Sequence, residues 1–228
     1  IRAGAAQTQF RDLRIHRRLG YGRLAQITLL DDRQYRSDNP CGDGESLRCE
    51  AALKGDYTML GAEQEAWLSD GLNRSRTRWN IVAQQLLVAQ LEHTTIQPNW
   101  FWNDAWDGYP AARARLLSDV VRSGALNHLK LDFKDPAAPT IATEFVTPAV
   151  TTGGDGTPYG PYYAPMVPHN PHIKYYEGDR RGYFKAELTR THAQFDLRFV
   201  TSVERPDGVG YPEHSWIVMD GRPGASMV

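Results

Sequence analysis

The sequence predicts a layered α/β domain. Two observations carry that expectation: a strand–loop–helix–strand run from Leu24 to Ala89, and a second helical pattern from Pro110 that should return the chain to a sheet. A third is composition, since 41% apolar and 23% charged residues in a 228-residue chain suffice for a real core. With 26 basic and 27 acidic residues the formal net charge is -1, which argues against a dedicated nucleic-acid binder. No apolar run reaches the roughly 20 residues of a membrane span, and the longest, Ile81 to Leu91, is broken by Gln84 and Gln85.

The elements follow in order. Leu13 to Leu19 alternates apolar and basic residues, as a half-exposed strand does. Leu24 to Leu30 is a more apolar strand ending abruptly at Asp31-Asp32-Arg33-Gln34. Functional groups gather beyond the carboxyl ends of strands in α/β sheets, so this junction reads as either a site or a solvated turn. Asp38 to Tyr57 is a Gly- and Asp-rich loop carrying Cys41 and Cys49. Ala62 to Ser75 predicts a helix, with Leu68 and Leu72 four apart and Glu63 and Glu65 in the first turn, where the helix dipole favours acids. Trp79 to Ala89 reads as a buried strand. Pro98 to Tyr109 is unusually aromatic for a loop, and reads as a stacking platform, a lid, or aromatics packed beneath the loop. Pro110 opens a helix whose apolar face is Leu116, Leu117, Val120 and Val121, with Gly124 as its stop.

Beyond that helix the pattern breaks, because Ala125 to Phe133 contains apolar residues but no well-bounded strand. Thr140 to Thr152 is a strand candidate, and a Pro/Tyr/Gly-rich loop covers Thr157 to Pro171. Gly182 to Leu188 and Phe195 to Val203 read as a hairpin, and Trp216 to Met219 as a last short strand.

Self-contained catalytic motifs are absent: there is no Gly-x-Ser-x-Gly elbow, no Walker-type loop and no His-Glu-x-x-His. The two cysteines lack zinc spacing and read as a disulfide, hence an oxidising compartment, over a pair of free thiols. His169 and His172 lie in a proline-flanked loop rather than on a helical metal face. Arginine far outnumbers lysine, which suits phosphate binding but also follows from codon bias. The chain opens at Ile1 without a leader pattern, as a piece of a longer protein would, so any targeting signal is expected outside it.

Particular strings then narrow the reading. Leu-Leu-Asp-Asp-Arg-Gln-Tyr-Arg-Ser-Asp-Asn-Pro-Cys-Gly (29–42), Met-Leu-Gly-Ala-Glu-Gln-Glu-Ala-Trp-Leu (59–68), Arg-Trp-Asn-Ile-Val-Ala-Gln-Gln (78–85), Trp-Asp-Gly-Tyr-Pro-Ala-Ala-Arg (106–113), Thr-Glu-Phe-Val (143–146) and Asn-Pro-His-Ile-Lys-Tyr (170–175) strongly resemble the alkaline phosphatase D family. The resemblance covers nearly the whole chain in order. It implies a two-sheet sandwich flanked by helices, four layers in all, present here incompletely: residues 1–203 as the C-terminal part of the catalytic domain and 204–228 as its tail. It implies an extracytoplasmic phosphomonoesterase or phosphodiesterase using iron and calcium, which would polarise the phosphoester and generate the attacking hydroxide. Arg113 resembles the arginine that contacts phosphate, with Asp107 in the same segment. Its alternative is an arginine on a solvated helix face. Asp31 and Arg33 resemble a strand-end pair that buttresses the site rather than ligating metal.

Two departures qualify this. The family's first metal-ligand segments belong before Ile1, and its Gly-Asp-x-His strand belongs after the second helix. None of the Gly-Asp pairs here (42–43, 55–56, 154–155, 178–179) has a histidine two residues on, and the break between Asn127 and His128 falls where that strand belongs. His128 is a metal-ligand candidate without an aspartate at the family spacing. The expectation is a phosphoester hydrolase fragment short of its metal ligands and inactive alone, its missing half supplied separately or lost. An alternative from another class is a binding module holding a glycan or partner protein on Trp100, Trp102 and Trp106.

Overall fold

The computed structural model describes residues 13–93, 98–122, 129–130, 132–135, 137–149, 152–222 and 224–228. It is a mixed α/β structure with four small sheets and few helices among those residues. Strands β1 (Arg17–Tyr21) and β2 (Ala25–Leu29) form an antiparallel hairpin, and β4 (Trp79–Ala83) lies parallel to β2 from Ala25↔Trp79 to Leu29↔Ala83. Parallel neighbours need a crossover, and α1 (Gly61–Arg74) supplies it. Between β2 and α1 lies β3 (Glu45–Leu47), which pairs with β5 (Trp100–Trp102). The second helix, α2, spans Pro110–Arg122.

Both helices turn their apolar faces into one core. Leu68 and Leu72 of α1 meet Leu116, Leu117 and Val120 of α2, around Leu30, Met59, Leu60, Trp106 and Tyr109. Val121, expected on that face, is exposed, because the burial stripe passes through the positions before it. Next come β6 (Leu129–Lys130), antiparallel to β7 (Thr140–Ala142), and the short α3 (Gly160–Tyr163) with a 3-10 turn over Ala164–His169. A four-stranded antiparallel meander closes the chain: β8 (Arg181–Leu188), β9 (His192–Val200), β10 (Gly210–Met219) and β11 (Ala225–Met227).

Several elements differ from their expected bounds. The first strand lies at Arg17–Tyr21, not Leu13–Leu19, because the register is fixed by the turn to β2 at Gly22, where φ is +57°. The strand expected to run to Ala89 stops at Ala83, where the parallel ladder ends with the Leu30 amide donating to the Ala83 carbonyl at 2.9 Å. Among the described residues of Thr140–Thr152, strand pairing covers Thr140–Ala142 alone. The strand expected last, Trp216–Met219, is longer: β10 starts at Gly210, carries Pro212 beside a bulge, pairs with β9 along its length, and is followed by the unexpected β11. Gly124, the break at Asn127 and His128 lie outside the described residues. In the three-stranded sheet β4 is an outer strand and half-buried throughout, and no other strand among the described residues pairs with its free edge. No helix among the described residues is long and apolar enough to cross a membrane.

Candidate functional site

The segment after β4 organises the site. From Gln85 to Glu92 the chain has no regular partner strand, so its amide groups need acceptors elsewhere. Side chains provide them. The Gln85 amide donates to Asp32 Oδ2 (3.0 Å) and the Leu86 amide to Gln84 Oε1 (2.9 Å). Val88 and Ala89 donate to the two oxygens of Glu144, each at 2.8 Å. Leu91 donates to Asp107 Oδ2 (2.9 Å) and Glu92 to Asn170 Oδ1 (3.0 Å). Carbonyls of the same segment accept in turn: Val88 O from Arg113 (3.3 Å), Gln90 O from His172 Nε2 (2.6 Å) and Glu92 O from Asn170 (3.0 Å).

Asp107 and Arg113 are joined in the middle of this arrangement. Asp107 sits in a 3-10 turn (Trp106–Gly108) that leads into α2, and Arg113 lies on the first turn of that helix. Arg113 Nη1 donates to Asp107 Oδ1 at 2.6 Å, and Arg48 Nη2 approaches the same oxygen at 3.3 Å. Arg113 Nη2 holds Gln90 Oε1 at 3.3 Å, and its guanidinium lies 5.1 Å from the Phe133 ring centroid. Arg113 is 5% exposed, which removes the solvated-face alternative. The turn needs Gly108, since a Cβ there would overlap the Asn103 carbonyl.

Burial sets the electrostatics. Glu144 is half-buried, and desolvation pushes its carboxyl up to about 7 despite the two amide donors. Asp32 is pushed up to about 6 by desolvation, against the Gln85 amide bond that pulls it down. Burial lowers the Arg48 guanidinium, and Asp107 opposes that fall. His172 is lowered by burial, and its Nδ1 has no hydrogen-bond partner among the described residues.

The strand-end pair, Asp31 and Arg33, has its own partners. Asp31 Oδ1 accepts the amides of Arg33 and Gln34, both at 3.0 Å, and Oδ2 accepts Gln34 Nε2 at 2.6 Å, so the carboxylate closes the turn after β2. Arg33 reaches out to Asp104 at 3.1 Å, which Arg36 also binds at 2.6 Å. None of these ion pairs includes Asp107 or Arg113. The tryptophans also separate: Trp106 is core, Trp102 is 46% exposed, and Trp100 is half-buried with Nε1 3.5 Å from Glu45. The three do not share one surface.

A family model described as PhoD-like phosphatase matches residues 2–197. The chain belongs to the PhoD-like phosphatase family. It is similar to alkaline phosphatase D of Bacillus subtilis (strain 168), 31% identical over 95% of this chain but 40% of that relative. A solved structure of PhoD superposes with a TM-score of 0.85 at 30% identity, covering 95% of this chain and 44% of that one. This PhoD-like chain therefore spans less than half the length of either relative.

The described residues of this PhoD-like chain do not fit iron or calcium. Among them no group of three or more His, Cys, Asp and Glu side chains converges as a metal ion requires. Cys41 and Cys49 are bonded to each other, as expected. Asp31 and Asp107 are tied to protein donors, and His128 lies outside the described residues. Arg48, Glu144 and Gln90 were not singled out by sequence. Glu144 stands inside the family string at 143–146, but a lone acid in an apolar run carries no signal of what it will hold.

Proposed function

We propose that this chain is the C-terminal part of the catalytic domain of an alkaline phosphatase D-like phosphoester hydrolase, with residues 204–228 as the tail of that domain. The observation that carries the reading is the buried Asp107–Arg113 pair, built from the family string at 106–113 where β4's extension, α2 and the 3-10 turn meet. Family membership supports hydrolysis of phosphoesters as the activity of the whole protein, and a phosphoester as its substrate. The whole domain is a two-sheet sandwich flanked by helices, of which this chain supplies part. Iron and calcium would be held by residues elsewhere in that whole. The disulfide supports an extracytoplasmic location.

Two consequences follow for this chain alone. Its described residues hold no metal-ligand group to activate water, so it is inactive without the missing part, supplied upstream or by another chain. Its guanidinium at Arg113 is held by Asp107, Val88 and Gln90, which keeps the pocket wall in shape. Purified chain given iron and calcium should leave bis(4-nitrophenyl) phosphate intact. Robust turnover that disappears in Arg113→Met would overturn the claim of inactivity.

A further inference from the structure

The loop closed by the disulfide runs from Cys41 to Cys49, and within it β3 pairs with β5 over three residues, Glu45 to Leu47. A two-stranded ribbon that short is marginal by itself, and closing the loop covalently removes much of the chain freedom that would pull it apart. Arg48 stands between the last ribbon pair, Leu47↔Trp100, and Cys49. Its amide donates to the Asn99 carbonyl at 3.1 Å, and the neighbouring Cys49 amide donates to Cys41 Sγ at 3.1 Å. The Arg48 backbone is therefore pinned on one side by the ribbon and on the other by the sulfur bridge.

Two side chains carry that constraint outward. The Arg48 guanidinium lies 3.8 Å from the Phe101 ring centroid and reaches Asp107 Oδ1 at 3.3 Å, the oxygen that Arg113 Nη1 also holds. Glu45, in the same loop, accepts the Tyr162 hydroxyl of α3 on Oε1 at 2.7 Å and on Oε2 at 2.9 Å. Its Oε2 also lies 3.5 Å from the Trp100 indole Nε1. One covalent bond thus sits behind two separate grips, one on the Asp107–Arg113 pair and one on α3.

We propose that the Cys41–Cys49 bond is a redox-sensitive latch: closed, it presents Arg48 to Asp107 and Glu45 to α3, and opened, it frees both. Both cysteines are half-buried, and Gly42, Asp43 and Glu50 beside them are exposed, so a small dithiol reaches the bridge. One thiolate of the dithiol attacks a cysteine sulfur, and the other cysteine leaves as a thiolate that takes up a proton. The second thiolate of the dithiol then attacks the mixed disulfide and releases the remaining cysteine; the dithiol ends as a cyclic disulfide, and two electrons have passed to the protein. Asp107 then keeps Arg113 and the Leu91 amide but loses its second guanidinium. Arg48 is a positioning residue, acting on Arg113 through Asp107. In a reducing compartment the cluster stays unlatched until the cysteines are oxidised. The latch stands on these contacts; the phosphoester reading decides only what loosening Arg113 does to turnover.

The test needs no turnover. Nitrogen–proton correlation spectra of the full chain are recorded without denaturant, oxidised and after treatment with dithiothreitol. The Leu91 amide, bonded to Asp107 Oδ2 at 2.9 Å, and the Trp100 indole signal should both shift on reduction, while amides of β9, in another sheet, keep their positions. Arg48→Met with the disulfide intact should shift Leu91 and leave the indole in place. Reducing that variant should then move the indole alone. If Arg48→Met does not fold, Arg48→Gln takes its place with the same expectations. A Leu91 signal indifferent to reduction, or one that still moves on reduction once Arg48 is replaced, would overturn the proposal. So would collapse of the whole spectrum on reduction, since the bond would then hold the fold rather than the loop. Hydrolysis by the completed protein is read separately: its absence sinks the hydrolase reading and leaves the latch standing.

Discussion

Replacing Glu144 by glutamine should change how the stability of this chain depends on pH. Glu144 is half-buried, and desolvation pushes its carboxyl up to about 7, against 4.5 for an ordinary glutamate. A raised folded value means that the native state binds the proton more tightly than the unfolded chain does. The resulting stability is fully present below about pH 4.5 and is lost as pH rises to about 7. At about 1.4 kcal/mol per pH unit, the interval from 4.5 to about 7 amounts to about 3 kcal/mol. Glutamine cannot ionise and loses this term. It carries its own penalty of about 1–3 kcal/mol at every pH, because an amide nitrogen replaces an oxygen that accepts from Ala89 or Val88. The assay is urea denaturation followed by circular dichroism at about pH 5 and pH 8. Glu144→Gln should be clearly weaker than the parent at pH 5 and should recover most of the deficit by pH 8. Parallel pH profiles for the two proteins would refute the assignment of that proton to Glu144. Asp32, pushed up to about 6, adds a slope of the same sign, but it is common to both proteins and cancels in the difference.

Other outcomes follow from the same contacts. Arg113→Met leaves Asp107 buried with Arg48 and the Leu91 amide as its remaining donors, and should cost about 3 kcal/mol in urea denaturation. Gly108→Ala forces a methyl into the Asn103 carbonyl and should lower stability by about 2 kcal/mol, visible as a drop in Tm. Reducing the Cys41–Cys49 bond opens a loop of eight-residue separation and should remove about 2.5 kcal/mol, read from urea midpoints with and without reductant. Iodide should quench Trp102 emission and leave Trp106 dark to it, so Trp102→Phe lowers the quenchable fraction while Trp106→Phe does not; unchanged quenching in Trp102→Phe would contradict their placement.

The legible parts of the fold were those where local chemistry decides structure. The α1 helix was readable because Leu68 and Leu72 mark a buried stripe and Glu63 and Arg74 sit at the favourable ends. The β8–β9 hairpin was readable as two strands about a short turn near Thr189, although β9 runs His192–Val200 rather than Phe195–Val203. The segment after Ala83 was not, because its apolar residues look like a continued strand while its backbone is held by Asp32, Glu144, Asp107 and Asn170 from far along the chain. Periodicity cannot report a partner sixty residues away. For the same reason Arg113 was found by its motif but its setting was not: Gln90, Arg48 and Glu144 reach it only through tertiary folding. The tryptophans illustrate the converse, since three tryptophans in seven residues suggested one surface and the 3-10 turn sent Trp106 into the core.

A backbone segment anchored by side chains has an unusual exchange signature. The amide protons of Val88, Ala89 and Leu91 belong to no helix or sheet, yet each is held by a carboxylate from elsewhere in the fold, so deuterium should replace them far more slowly than it replaces the unbonded amides of a loop. Each reports on one acid: the first two on Glu144, the third on Asp107. Their exchange rates therefore form a residue-by-residue gauge of whether the cluster is assembled, usable on this chain before any ligand, metal or missing half is added.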